Sequence, residues 1–253
     1  MAHALVRRPG PLLAEGLLTH LERVDVDVEQ ARRQWDAYVG AFADAGWDIT
    51  EVEPADDCAD AVFVEDALVL FDDLAIVTRP GAPSRRAEIE GAERAVEQRG
   101  LELARIAGPA TLDGGDVLKV GRVAYLGVGG RTNGAAIAQL DAALSPRGWT
   151  VTAISVTKVL HLKSAVTALP DGTVIGYPRH VDDASAYPSF LPVPEPAGSH
   201  VVLLGGDRLL MAADAPGSAA MFRAMGYDVT EVDISEFEKL EGCVTCLSVR
   251  DRR

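Results

Sequence analysis

The sequence predicts an α/β fold with mixed sheets, and three observations lead there. Helical and strand-like hydrophobic periods alternate along the whole 253-residue chain. Several strand-like runs come in pairs, as with residues 117–120 and 123–126 around Gly121-Arg122, which read as a hairpin. Hairpins mixed with helices argue for a mixed sheet over a regular strand-helix alternation. Strand-helix units recur at about 40–50 residues without an exact repeat, a period that fits a propeller-like array.

The elements follow in order. Ala31, Trp35, Tyr38, Val39 and Phe42 fall at helical spacing and form an apolar stripe. Residues 87–96 and 135–144 read as two more helices, the first opened by Ser84 as N-cap. Met221, Phe222 and Met225 mark a fourth, ending at Gly226. Strands are expected over residues 61–64, 74–78, 118–120, 124–128, 174–177, 201–204 and 243–249. No Ser/Gly linker divides the chain, so residues 1–253 are read as one domain long enough to bury its own core.

Composition narrows the function. The chain is 48% hydrophobic and 25% charged, an ordinary globular balance. A net charge of −14 repels phosphate backbones, so no nucleic-acid partner is expected, whereas a cationic small molecule is attracted. Three cysteines are too few for a disulfide framework and point to a reducing compartment. No signal-peptide pattern and no membrane-length apolar run is present, so a cytoplasmic protein without a membrane partner is expected.

Several segments carry chemistry. Asp60, Glu65 and Asp66 bracket an apolar run, and strand alternation cannot turn every acid outward. They read either as solvated turn acids or as a pocket for a cationic group. Arg85, beside Ser84, and Arg131 each stand near a helix start, as surface residues or as receptors for a carboxylate. Asp113-Gly114-Gly115-Asp116 reads as a turn, or as an acid brought close enough to orient a histidine. His161 lies in a β-like apolar stretch, where it is a buried structural histidine or a general acid/base. Cys243 and Cys246 have C-x-x-C spacing. No fourth ligand sits at zinc-finger spacing and strand-like flanks argue against a thioredoxin motif, which leaves inert cysteines or one nucleophilic thiol.

Taken together, six segments resemble the dimethylarginine dimethylaminohydrolase family of the guanidine-modifying superfamily. They are Val62-Phe63-Val64-Glu65-Asp66, the run from Thr78 to Arg86, Thr111-Leu112-Asp113-Gly114-Gly115-Asp116, Arg131-Thr132-Asn133, Leu160-His161-Leu162-Lys163 and Thr245-Cys246-Leu247-Ser248. The resemblance implies a five-bladed β/α-propeller with a central active site and a hydrolase that needs no cofactor and no metal. It implies Cys246 as nucleophile, His161 as acid and base, and Asp113 as the acid supporting both the histidine and the guanidinium. Asp66, Asp60 and Glu65 match substrate-site acids, Arg85 and Arg131 an α-carboxylate clamp, and Leu17 and the carbonyl of Leu240 further contacts. The chain departs from the family pattern at His200, Glu241 and Cys243.

The expected reaction converts methylated arginines to citrulline through a thiouronium on Cys246. An arginine or agmatine deiminase shares that chemistry. A non-catalytic amino-acid binding protein would need the acids and arginines but not Cys246, and a redox or metal protein would use both Cys243 and Cys246. The oligomeric state is left open, a homodimer being one reading.

Overall fold

The structure is a computed structural model that describes residues 2–253. Its fifteen strands fall into five three-stranded sheets. The first joins the two ends of the chain: His3–Val6 pairs antiparallel with Ser248–Asp251 and parallel with Asp48–Glu51. Helix α1, Val28–Asp44, connects the two parallel strands. Asp27 caps it by accepting from the Gln30 amide, and of the expected stripe Ala31, Trp35, Tyr38 and Phe42 are buried while Val39 is half-buried.

The same unit then repeats. A hairpin, Leu68–Phe71 with Leu74–Val77, leads through α2, Ile89–Gln98, to the parallel strand Glu102–Arg105. The next hairpin, Val117–Val120 with Val123–Val128, leads through α3, Ala135–Leu144, to Thr150–Ser155. The one-turn helix α4, Leu162–Ala165, precedes the hairpin of Val166–Ala168 and Val174–Gly176, with Phe190–Pro192 as parallel partner. The last unit pairs Val202–Gly205 with Arg208–Ala212, then runs through α5, Pro216–Ala224, to Asp228–Val232. Helix α6, Ser235–Glu238, follows. A parallel strand cannot be reached by a tight turn, which is why a crossover stands in each unit.

Apolar side chains fill the space between helices and sheets. Trp35, Tyr38, Phe42, Phe222 and Phe237 share one cluster, and Ile76, Leu112, Leu126 and Leu140 share another. No helix among the described residues is long and apolar enough to cross a membrane.

Four expectations fail, all near the polar centre. Residues 61–64 are not a strand; they turn into a 3-10 helix, Val64–Ala67. Their carbonyls are taken outside any ladder: that of Ala61 by Arg7, that of Val62 by the Val64 amide, and that of Phe63, like that of Asp60 before it, by Arg85. Residues 243–247 form a turn rather than the start of a strand, with the Val244 carbonyl bound by the Tyr38 hydroxyl and the Thr245 carbonyl by Arg250. Ser84 does not cap a helix: it lies inside a 3-10 segment, Pro83–Glu88, that runs into α2. His161 is not within a strand but is the extended residue at the start of α4.

Candidate active site

The 60–66 segment places Asp60, Glu65 and Asp66 in the interior, although by a turn and not by strand alternation. Arg85 organises it. Its Nη1 donates to Asp66 Oδ2 at 2.6 Å, and its Nη2 to Glu88 Oε2 at 2.9 Å and to the two carbonyls already named. Burial opposes the charge on Arg85, but Glu88 and Asp66 outweigh it and hold the guanidinium firmly protonated. Asp66 is held well below the usual carboxylate range, since His161 and Arg85 overcome the cost of burial. Asp60 is pushed up by burial, with Arg85 and the Leu17 amide only partly offsetting it.

His161 sits among acids. Its Nε2 is 3.0 Å from Asp113 Oδ2, and its Nδ1 faces Asp66 Oδ1 at 3.8 Å. Burial disfavours the imidazolium, yet Asp66, Asp116 and Asp113 outweigh it and raise His161 to about 9. Asp113 is itself fixed: Oδ1 accepts from the Gly81 amide at 2.8 Å, and its own amide donates to Thr132 Oγ1 at 3.1 Å.

Two glycines allow this packing. A Cβ at Gly115 would fall 2.7 Å from His161 Nδ1 and 2.8 Å from Asp66 Oδ1, while the Gly115 amide donates to that same carboxylate. A Cβ at Gly81 would meet the Arg131 carbonyl at 2.2 Å. Asp116, raised to about 6 by burial, accepts from the Leu162 amide at 2.8 Å and so seats the start of α4 beside His161. Gly81 and Asp116 lie inside the recognised segments, but residue type alone does not reveal that they position the histidine.

Cys246 faces His161, Asp60, Asp66, Arg85, Arg131, Leu17 and Leu240 across a narrow cleft of about 20 Å³, room for about one water. The thiol is pushed up by its hydrogen bond to Cys243, by burial and by Glu65 and Asp66. Arg131 reaches the cleft with Nη1 3.9 Å from Asp113 Oδ2. Leu17 is held at the mouth because its amide donates to Asp60 Oδ1 at 3.0 Å. The following turn is tied down by Glu241, whose carboxylate accepts from the amides of Thr19, His20 and Leu21. His200 lies 3.0 Å from the Ser164 carbonyl through Nε2.

Glu65 is the one expected substrate acid that does not join them. It points into a second, larger cavity of about 500 Å³, where Lys163 Nζ lies 2.6 Å from Oε1 and Arg250 binds the same oxygen. The physical reason is the 3-10 turn, which sends the side chains of consecutive residues to different sides. Asp66, Asp113 and His161 together offer three ligand atoms within 4.8 Å of one another. A metal cation there would have to displace the proton that these acids hold on His161, so this donor set suits an organic cation better.

No family model matches the chain. A dimethylarginine dimethylaminohydrolase of Streptomyces coelicolor is 61% identical over 249 residues, covering 98% of this chain and 96% of the relative. The chain belongs to the dimethylarginine dimethylaminohydrolase family. The enzyme of that family from Pseudomonas aeruginosa is 33% identical over 254 residues, 98% of each chain. Solved with citrulline, the P. aeruginosa family member matches this fold with a TM-score of 0.91 at 32% identity, over 98% of both chains. A dimethylarginine dimethylaminohydrolase carrying an S-methyl-L-thiocitrulline adduct matches with a TM-score of 0.90 at 33% identity, over 98% of this chain and 99% of the other. The N-terminal domain of a cyanobacterial arginine dihydrolase shares the fold, with a TM-score of 0.88 at 19% identity over 98% and 97%.

Proposed function

We propose that the Cys246 cleft hydrolyses N-omega-methylated arginines to citrulline and a methylamine. The chain is a dimethylarginine hydrolase by family, and the observation that carries the reading is the meeting of Cys246, the His161–Asp113 pair, Asp60 and Asp66 in one cleft.

The guanidinium carbon is a poor electrophile because its charge is delocalised. In this reading, Asp60 and Asp66 hold its nitrogens and keep it cationic, with Asp113 behind His161. At rest the neighbouring acids and Cys243 keep the Cys246 thiol protonated. The arriving cation favours the thiolate, so activation follows binding. The thiolate adds to the guanidinium carbon. His161, protonated at neutral pH, gives its proton to the departing dimethylamine and leaves a covalent thiouronium. The neutral ring then takes a proton from water, which attacks the carbon. As that adduct collapses, its hydroxyl proton passes to the departing Cys246 sulfur, which releases citrulline and restores the resting thiol, with His161 protonated again.

Arg131 suits the substrate's α-carboxylate, and Arg85 adds positive charge although most of its donors are spent on Asp66, Glu88 and two carbonyls. We further read the five sheets as blades around a central axis, closed where the chain ends pair in one sheet, and residues 1–253 as one catalytic domain. Three free thiols fit a cytoplasmic enzyme. Incubation of the purified protein with dimethylarginine, monomethylarginine, arginine and agmatine tests the reading: citrulline with methylamines is expected, and agmatine turnover equal to dimethylarginine turnover would assign an agmatine-type enzyme instead.

A further inference from the structure

Cys243 makes and breaks no bond in the reaction just described and does not line the cleft, yet its Sγ lies 3.3 Å from Cys246 Sγ. Both side chains are buried, and neither is in a disulfide. The backbone between them is a tight turn, with the Cys246 amide donating to the Cys243 carbonyl at 3.1 Å. Such a turn holds the two Cα atoms within about 7 Å, and disulfides span about 4.4–6.8 Å between Cα atoms. The sulfurs need to approach by little more than about 1 Å to reach the bonded separation of about 2.05 Å. Two side-chain rotations supply that without moving a strand.

We propose that Cys243 and Cys246 form a reversible intramolecular disulfide on exposure to a peroxide, which withdraws the nucleophile and protects it from further oxidation. The activity part of this inference rests on the proposed function; the thiol chemistry does not.

The site favours this chemistry over oxidation of Cys246 alone. Cys246 lines the cleft, whereas Cys243 is not among the lining residues, so a small oxidant arriving through the substrate path meets Cys246. The second thiol is already in contact behind it. The pair also supplies a thiolate: the hydrogen bond from Cys246, His200 and the Thr245 hydroxyl overcome burial and bring Cys243 down to about 5. The Thr245 hydroxyl is 3.2 Å from that sulfur. Cys58 is elsewhere, its sulfur 3.8 Å from the Ser84 carbonyl, and is not positioned to resolve either thiol.

The balance is simple. Cys246 first passes its proton across the 3.3 Å contact to the Cys243 thiolate, and the Cys246 thiolate so formed attacks one oxygen of hydrogen peroxide. The O–O bond breaks, giving a sulfenic acid and hydroxide, which takes up a proton as water. The Cys243 sulfur then attacks the sulfenic sulfur, the S–O bond breaks, and its hydroxyl leaves as a second water with the remaining thiol proton. Two thiols and one peroxide become one disulfide and two waters, with two electrons passing from sulfur to oxygen. A thiol reductant reverses the step by thiol–disulfide exchange.

The test uses the full, pre-reduced protein treated with hydrogen peroxide, then denatured and alkylated. Both cysteines fall in one tryptic peptide, Leu-Glu-Gly-Cys-Val-Thr-Cys-Leu-Ser-Val-Arg, ending at Arg250. The expected peptide is unalkylated and lighter by two hydrogens, Cys58 stays alkylated, and dithiothreitol restores both thiols together with methylarginine turnover. In Cys243→Ser, which is active before treatment, the same peroxide dose adds two or three oxygens to Cys246, and dithiothreitol does not restore activity. A wild-type peptide that gains oxygens while Cys243 remains alkylatable, or a bridge involving Cys58, overturns the proposal. A protein inactive on methylarginine that still forms the disulfide would sink the functional reading and leave the thiol chemistry standing.

Discussion

Two consecutive residues, Glu65 and Asp66, serve two different cavities. Asp66 belongs to the small cleft, where acids surround His161 and Cys246. Glu65 belongs to the larger cavity, where Lys163 and Arg250 neutralise it and Arg252 adds further positive charge. The larger cavity has more room and no cysteine or histidine among its lining residues; the smaller holds Cys246, His161 and the acids that face them. Volume is therefore a poor guide to the chemistry here. The cleft sets acids against the thiol and the histidine, whereas Glu65 is turned onto Lys163 and Arg250.

The comparison can be broken at the nucleophile first. Cys246→Ser should lower kcat by about 10⁴-fold or more while citrulline binding survives, measured by steady-state kinetics and calorimetry. His161→Gly should cost about 10²–10⁴-fold in kcat; a fully active variant would remove the acid/base role. Arg131→Ala should lose about 10–150-fold in kcat/KM on dimethylarginine, the worth of about 1.5–3 kcal/mol from a charge-assisted hydrogen bond. Its weak agmatine rate should stay nearly unchanged. Arg85 is a poorer probe than Arg131: its removal strands Asp66 and Glu88 in the interior, at a cost of about 3–5 kcal/mol of stability.

pH sharpens the same contrast. Because His161 is raised to about 9, the stability of its protonated ring is fully present below about pH 6.5, its unfolded value, and is lost as pH rises through about 9. In the proposed reaction the ring is also the acid for amine departure, so turnover should fall above about pH 9. In Asp113→Asn, which removes one of the acids holding the proton, the fall should begin at lower pH. An unmoved profile would separate Asp113 from the histidine. The smallest effect is expected in the other cavity. Lys163→Met should lower stability by about 1–3 kcal/mol in a denaturant melt, since Glu65 keeps Arg250, with KM for dimethylarginine unchanged.

Much of this arrangement was legible in the sequence where local chemistry decides it. The hairpin at Gly121-Arg122 forms with Val120 opposite Val123, and Ala135–Leu144 is helical over the expected residues. Both depend on nearby residues. The segments around Ala61 and Cys243 look β-like because their side chains are apolar, yet their carbonyls are claimed by Arg85, Tyr38 and Arg250 from distant parts of the chain. Hydrophobic period cannot register such long-range partners. The same limit explains Glu65, whose residue type and neighbourhood suit the cleft while the turn directs it to the opposite side. Asp60, Asp66, Asp113, His161 and Cys246 stand in recognisable motifs and the fold brings them together, but the packing of Gly115 and the seat of Asp116 beneath α4 appear only in three dimensions.

The most direct test of the central claim is acid quenching of the protein during turnover of dimethylarginine, followed by mass analysis of the peptide that ends at Arg250. The account predicts a thiouronium adduct on Cys246 that forms and decays as citrulline appears. Citrulline released at full rate with no adduct on that peptide, in a protein quenched within a single turnover, would contradict it.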